Sequence, residues 1–172
     1  FGFFNLADKY QDDTTKARLI EHAKGNIHNF MDHQLPDGYI PMMIEVVDWP
    51  EPYLNMKHKE GILMNMHKPF LCQQIVLISD FIDDYSWCSQ YFENLEKYFE
   101  CYDNNYYFEN CGLYVWCDDI MIGMDNDPAT FGRPKFSTAN IYLNSFMCME
   151  LDAMVKICGI FGKEERVAYY KE

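Results

Sequence analysis

The stretch VWCDDIMIGMDNDPATFGRP, residues 115–134, sets Asp118, Asp119, Asp125 and Asp127 among aliphatic side chains, a tryptophan and an arginine. Asp125 lies between Met124 and Asn126, directly after Gly123 and Met124. A carboxyl group with apolar and neutral polar neighbours has its pKa raised by desolvation, which suits a general acid working near neutral pH. The ordinary use of an Asp-rich loop is to cap helices or to face water. Calcium fits poorly, because Asp125-Asn126-Asp127 is followed by Pro128, Ala129 and Thr130 where an EF-hand needs a further ligand and a glycine. A DxD metal clamp would need a strand-rich domain with Gly-rich phosphate loops, and neither is visible. No GxSxG elbow or HExxH pair occurs, and the five histidines are scattered. No metal site and no cofactor are expected.

The other chemically mixed segment, DGYIPMMIEVVDWPEPYLNMKHKEGILMNMHKPFLCQQ, brings Trp49, Tyr39 and Tyr53 together with Lys57, His67, Lys68 and Gln73. Flat rings beside donors and acceptors are what a sugar pocket requires, since a pyranose shows an apolar face and a rim of hydroxyls. The competing reading, equally compatible with composition, is that these aromatics plug the ends of helix pairs.

Several amphipathic patterns must position these segments. Ala17, Ile20, Ala23, Ile27, Phe30 and Met31 recur at helical spacing, with Asp12, Asp13 and Thr14 as N-cap candidates and LPDG as a stop. Leu71, Cys72, Ile75, Ile78 and Ile82 repeat the pattern, and after DDYS the residues Tyr91, Leu95, Tyr98 and Tyr102 continue it, so an αα-hairpin is expected. A further helix is expected from a cap at Ser137, with Ile141, Ser145, Met149, Ala153 and Ile157 on one face and Gly162 as its C-cap; Lys163 then opens another. Paired helices with minor sheet content point to an all-α fold of stacked hairpins, either a solenoid or a closed toroid. The intervening segments, 36–68 and 104–136, are long enough that structureless loops become uncommon unless they serve a function.

A chain of 172 residues has the size of one domain. Its net charge of -13 argues against nucleic acid and anionic membrane as partners. No apolar run is long enough to span a bilayer and no signal segment opens the chain. Seven cysteines without a CxxC pair fit reduced, mostly buried thiols in a cytoplasmic protein better than a zinc site or a disulfide framework. The chain begins at Phe1 and stops inside the helical-looking KEERVAYYKE, so a piece of a longer domain is expected.

GLYVWCDDIMIGMDNDPATFGRP followed by STANIYLNSFMCMELDAMVKICGIFGKEE resembles the trehalase-like, six-hairpin glycosidases, in particular the bacterial branch of glycoside hydrolase family 63 that contains mannosylglycerate hydrolases and α-glucosidases. The specific part is a strand-like aromatic entry, a Gly-x-Asp-Asn-x-Pro turn, and a DLN-like element opening the next helix, here Tyr142-Leu143-Asn144. DGYIP and HKPFLCQ are similar to loops of the same family. The resemblance implies that residues 1–172 are a single partial catalytic domain, part of an (α/α)6 toroid, of an inverting enzyme acting on an α-linked disaccharide, oligosaccharide or glycosylglycerate. It makes Asp125 the general acid and implies a downstream glutamate as base, roughly 6.5–9.5 Å across the pocket. By the same resemblance Trp116, Asn126 and Arg133 line the pocket, and His67, Lys68, Gln73 and Trp49 fall near sugar subsites. The family often has Gln-Pro-Pro where this chain has His67-Lys68-Pro69, and Glu or Ser where it has Met121-Ile122, so the sugar itself is not inherited. The reading from another class is a non-catalytic helical-hairpin domain that binds carbohydrate or protein.

Overall fold

The computed structural model describes residues 9, 12–44, 58–59, 62–63, 66–118, 121 and 127–171. Among these the chain is mostly helical, in agreement with an all-α fold, with two short antiparallel hairpins as its sheet content. Helix α1 (Asp13–Asp32) starts where Asp12 accepts the N–H groups of Thr14 and Thr15 at 3.2 and 3.1 Å, satisfying donors that have no intrahelical partner. Its exit turn needs a glycine. Gly38 has φ +87°, and a Cβ there would sit 1.9 Å from the Lys97 carbonyl oxygen.

The strands β1 (His58–Lys59) and β2 (Ile62–Leu63) pair His58 with Leu63, and the chain then reaches α2 (Leu71–Ile82). Asp83, in the left-handed region at φ 52°, turns the backbone out of α2. A 3-10 helix (Ser86–Tyr91) leads into α3 (Phe92–Tyr106), followed by the hairpin β3 (Tyr107–Phe108) and β4 (Leu113–Tyr114). Helix α4 (Ile141–Ile160) ends at a Gly162 with φ +66°, and α5 (Glu164–Lys171) folds back on it.

Two local expectations change. The N-cap of α4 is Asn140, which accepts the Tyr142 N–H at 2.6 Å, so the helix starts later than a cap at Ser137 implies. The inward face also differs. Leu143, Met147, Glu150, Ala153, Met154 and Ile157 are buried, whereas Ile141 is 81% and Met149 50% exposed. Helix α4 is apolar on almost every side, so its periodicity alone does not orient it.

The expected α2/α3 hairpin is not the closest helix pairing; α2 packs mainly on α4 and α1, and α4 on α5. Helix α1 runs antiparallel to α2, with Lys16 over the Phe81 ring and Asn26 against Gln74. Helices α2 and α4 run parallel: Phe70 meets Phe146 at their starts, and Asp80 pairs with Lys156 at 2.6 Å near their ends. Helix α3 runs the other way, because Phe92 at its start stacks on Phe161 beyond the end of α4. This alternation places the short turns after α2 and α4 at one end. The described residues that lead into α2 (66–70) and those that leave α3 and enter α4 (107–118 and 127–140) therefore start from the other.

The core between the helices is rich in aromatic rings. Tyr39, Tyr98, Tyr102, Tyr106 and Trp116 are all enclosed beside Ile27, Leu71, Ile75, Leu95 and Met154. Tyr98, Tyr102 and Tyr106 form a ladder along α3, the first pair edge-on and the second tilted, with ring centroids 5.2 and 5.4 Å apart. Five cysteines are buried, while Cys111 and Cys148 are exposed. Among the described residues no helix is long and apolar enough to cross a membrane.

Candidate functional site

The His67-Lys68 loop is fixed from three directions. Met66 bridges Pro41, and the His67 N–H donates to the Ile40 carbonyl at 2.8 Å. From α3, the Tyr98 phenol donates to the His67 and Lys68 carbonyls at 2.9 and 2.7 Å, and Tyr102 donates to His67 at 2.7 Å. From the C-terminal part of α1, Phe30 meets the His67 ring at 4.4 Å.

His67 is enclosed, and its Nδ1 lies 2.7 Å from its neighbour's carbonyl, so Nδ1 carries the ring proton and donates to Lys68. Burial pushes its pKa down to about 4; the Lys68 charge also lowers it, while the bond to the carbonyl opposes. The ring is neutral at pH 7. Lys68 differs, because its half-buried ammonium contacts the Met42 sulfur and has no carboxylate partner among the described residues. Burial brings its pKa down to about 8.

Gln73 occupies the first turn of α2. Its amide nitrogen donates to the Pro69 carbonyl at 2.8 Å, to Phe146 at 3.3 Å and to Glu150 Oε2 at 3.2 Å. His67 and Gln73 are thus engaged internally, whereas Lys68 has no ionic partner among the described residues.

In the second segment, Trp116 is 2% exposed and bridges Thr138. It belongs to the core cluster of buried side chains. Among the described residues its indole N–H and the enclosed Thr130 hydroxyl find no hydrogen-bond partner. Asp118 accepts the Met121 N–H at 3.0 Å. Asp127 accepts the Ala129 N–H at 2.9 Å, and its carbonyl takes those of Thr130 and Phe131. Both acids shape turns, as short Asp side chains commonly do. Arg133 is exposed, and its Nε donates to the Pro128 carbonyl at 3.2 Å, within its own turn. Asp125, Asn126 and Trp49, with Asp119, Tyr53 and Lys57, lie outside the described residues.

The structure joins the two segments across the end of α3. Val115 donates to the Tyr106 carbonyl at 2.8 Å, one turn beyond Tyr102 and its bond to His67. Asn144, in the first turn of α4, exchanges two bonds of 2.9 Å with the backbone of Tyr114. The acid-bearing segment thus leaves α3 and rejoins α4 at the end where the His67-Lys68 loop enters α2.

Glu150 is the residue that sequence reasoning missed. It is fully buried, and it accepts the N–H groups of Cys72 and Gln73 at 2.7 and 3.2 Å, capping α2 from another helix. Burial pushes its carboxyl up to about 7, opposed by those backbone bonds and by the Gln73 side chain. Its trace in the sequence is a lone acid in the apolar run FMCMELDAMV, between Met147 and Met154 on one helix face.

Among the described residues no group of three or more His, Cys, Asp or Glu could hold a metal ion. Comparison of the chain with protein-family models, curated proteins and solved structures gives no match.

Proposed function

We propose that this chain forms part of an (α/α)6 toroid of a glycoside hydrolase that cleaves an α-linked glycoside with inversion. The observation that supports it is that the described ends of both long segments, at His67 and at Tyr114 and Val115, are anchored at one end of alternately directed helices, the usual place for a site built on helix pairs. In this reading Asp125 is the general acid that protonates the departing glycosidic oxygen. The base is a glutamate outside these 172 residues, which activates water on the opposite face of the sugar. Lys68 is the cation beside the ligand, and no cofactor takes part. Glu150 does not serve as the base, because it is enclosed and both its oxygens already accept N–H groups.

The test is hydrolysis of a panel of α-linked disaccharides and glycosylglycerates by the intact protein, with and without Asp125→Asn. A loss of about three orders of magnitude or more in kcat marks a general acid. A few-fold loss would make Asp125 a binding residue and remove the reading. Trp116 in the core and Arg133 bonded within its own turn favour a second reading, a non-catalytic helical domain that binds carbohydrate or protein. That reading gains if the intact protein binds these sugars without any turnover.

A further inference from the structure

Helix α2 starts without a side-chain cap of its own, since Phe70 supplies none. The N–H groups of its first turn have no intrahelical acceptors and must find partners elsewhere. Cys72 and Gln73 give theirs to Glu150 of α4, on opposite oxygens, and the Gln73 amide adds a third bond to Oε2. Each of these contacts donates toward Glu150, an arrangement that suits an ionised, acceptor-only carboxylate. The setting opposes that charge. Glu150 is fully buried and has no cationic partner among the described residues. The titratable groups that feel it are Cys72 on α2 and Tyr98 and Tyr102 on α3, and burial holds all three in their neutral forms.

A neutral Glu150 must give its proton to an acceptor. The group in contact with Oε2 that can become one is the Gln73 side chain, whose oxygen replaces its nitrogen when the amide rotates by half a turn. That rotation gives up the bonds from Nε2 to the Pro69 and Phe146 carbonyls. Pro69 follows directly on Lys68, so the change is passed to the loop that enters the candidate site.

We propose that Glu150 and Gln73 form a proton-controlled latch between α4 and the first turn of α2. With Glu150 ionised, the Gln73 amide donates to it and ties the Pro69 carbonyl. With a solvent proton on Glu150, the amide turns to accept that proton and frees Pro69. The latch is independent of which ligand the neighbouring segments bind.

The test is a nitrogen-15 NMR titration of the full chain between pH 5 and 9. The backbone amides of Cys72 and Gln73 and the side-chain amide of Gln73 should shift together, with one midpoint near neutrality. Glu150→Gln should abolish these shifts. Gln73→Met keeps the two backbone donors but removes one bond to the carboxylate, so it should move the Cys72 midpoint upward; this arm serves if Glu150→Gln does not fold. Signals that stay flat in the wild type, shifts that persist in Glu150→Gln, or an unmoved midpoint in Gln73→Met would each overturn the latch.

Discussion

Tyr102 on α3 donates its phenolic proton to the main-chain carbonyl of His67 at 2.7 Å. Tyr98, one turn earlier, donates to the same oxygen at 2.9 Å, so each phenol backs up the other. Replacing Tyr102 by phenylalanine should cost about 1 kcal/mol, the net worth of one hydrogen bond, and replacing Tyr98, whose single proton is shared between the His67 and Lys68 carbonyls, at least as much. The double replacement strips a buried carbonyl of both donors. It should cost about 1 kcal/mol more than the sum of the single changes, a coupling that urea unfolding of the four variants would measure. Simple additivity would show that water reaches the His67 carbonyl.

The stability of the protein should respond to pH through two opposed groups. His67 has a pKa lowered to about 4 from 6.5, so it contributes stability above pH 6.5 that is lost as pH falls toward 4. Glu150 has a pKa raised to about 7 from 4.5; its contribution is complete below pH 4.5 and is lost as pH rises through 7. Each spans about 3 kcal/mol, and between pH 4.5 and 6.5 the two slopes oppose each other. Glu150→Gln should therefore unmask a stability that rises with pH, and His67→Gln one that falls. Chemical unfolding at three pH values across this interval distinguishes these outcomes from parallel curves.

Gly38→Ala should be among the most destabilising single changes, because it combines a left-handed φ of +87° with a Cβ placed on the Lys97 carbonyl. Gly132→Ala is the control. Its φ is +70°, but nothing lies within 4 Å of the added carbon, so only the backbone term of about 1 kcal/mol applies. Similar unfolding midpoints for the two variants would place the α1 exit turn away from Lys97.

Helix α4 offers a test of orientation. Leu143→Ala removes a fully buried side chain and should cost about 2–5 kcal/mol. Ile141→Ala, two residues earlier on an 81% exposed side chain, should change stability by less than about 0.5 kcal/mol. The reverse order would restore the face that the spacing of Ile141, Ser145 and Met149 suggests.

How much the sequence reveals depends on how local the governing energy is. Asp12 was recognisable as a cap and Gly162 as a stop because each acts within one turn of its own helix. The stripe of Tyr91, Leu95, Tyr98 and Tyr102 was legible because α3 is amphipathic, and all four are buried. Helix α4 has little such contrast, so its inward face was set by packing against α2 and not by its own pattern. In the candidate site, Lys68 has no carboxylate partner among the described residues, whereas His67 and Gln73 proved to be tied internally. That distinction depends on Tyr98, Tyr102, Phe146 and Glu150, which are remote in sequence.

By itself the sequence determined the helical class, most helix ends and the two segments rich in reactive side chains, since capping, turn geometry and periodicity act over a few residues. Only the tertiary structure decided that His67 and Tyr114, one from each segment, are anchored at the same end of the helices, that Trp116 belongs to the core, and that Glu150 caps a helix other than its own. Burial and hydrogen-bond partnership are properties of surfaces brought together by folding. Cys72 and Glu150, 78 positions apart along the chain, become partners only there.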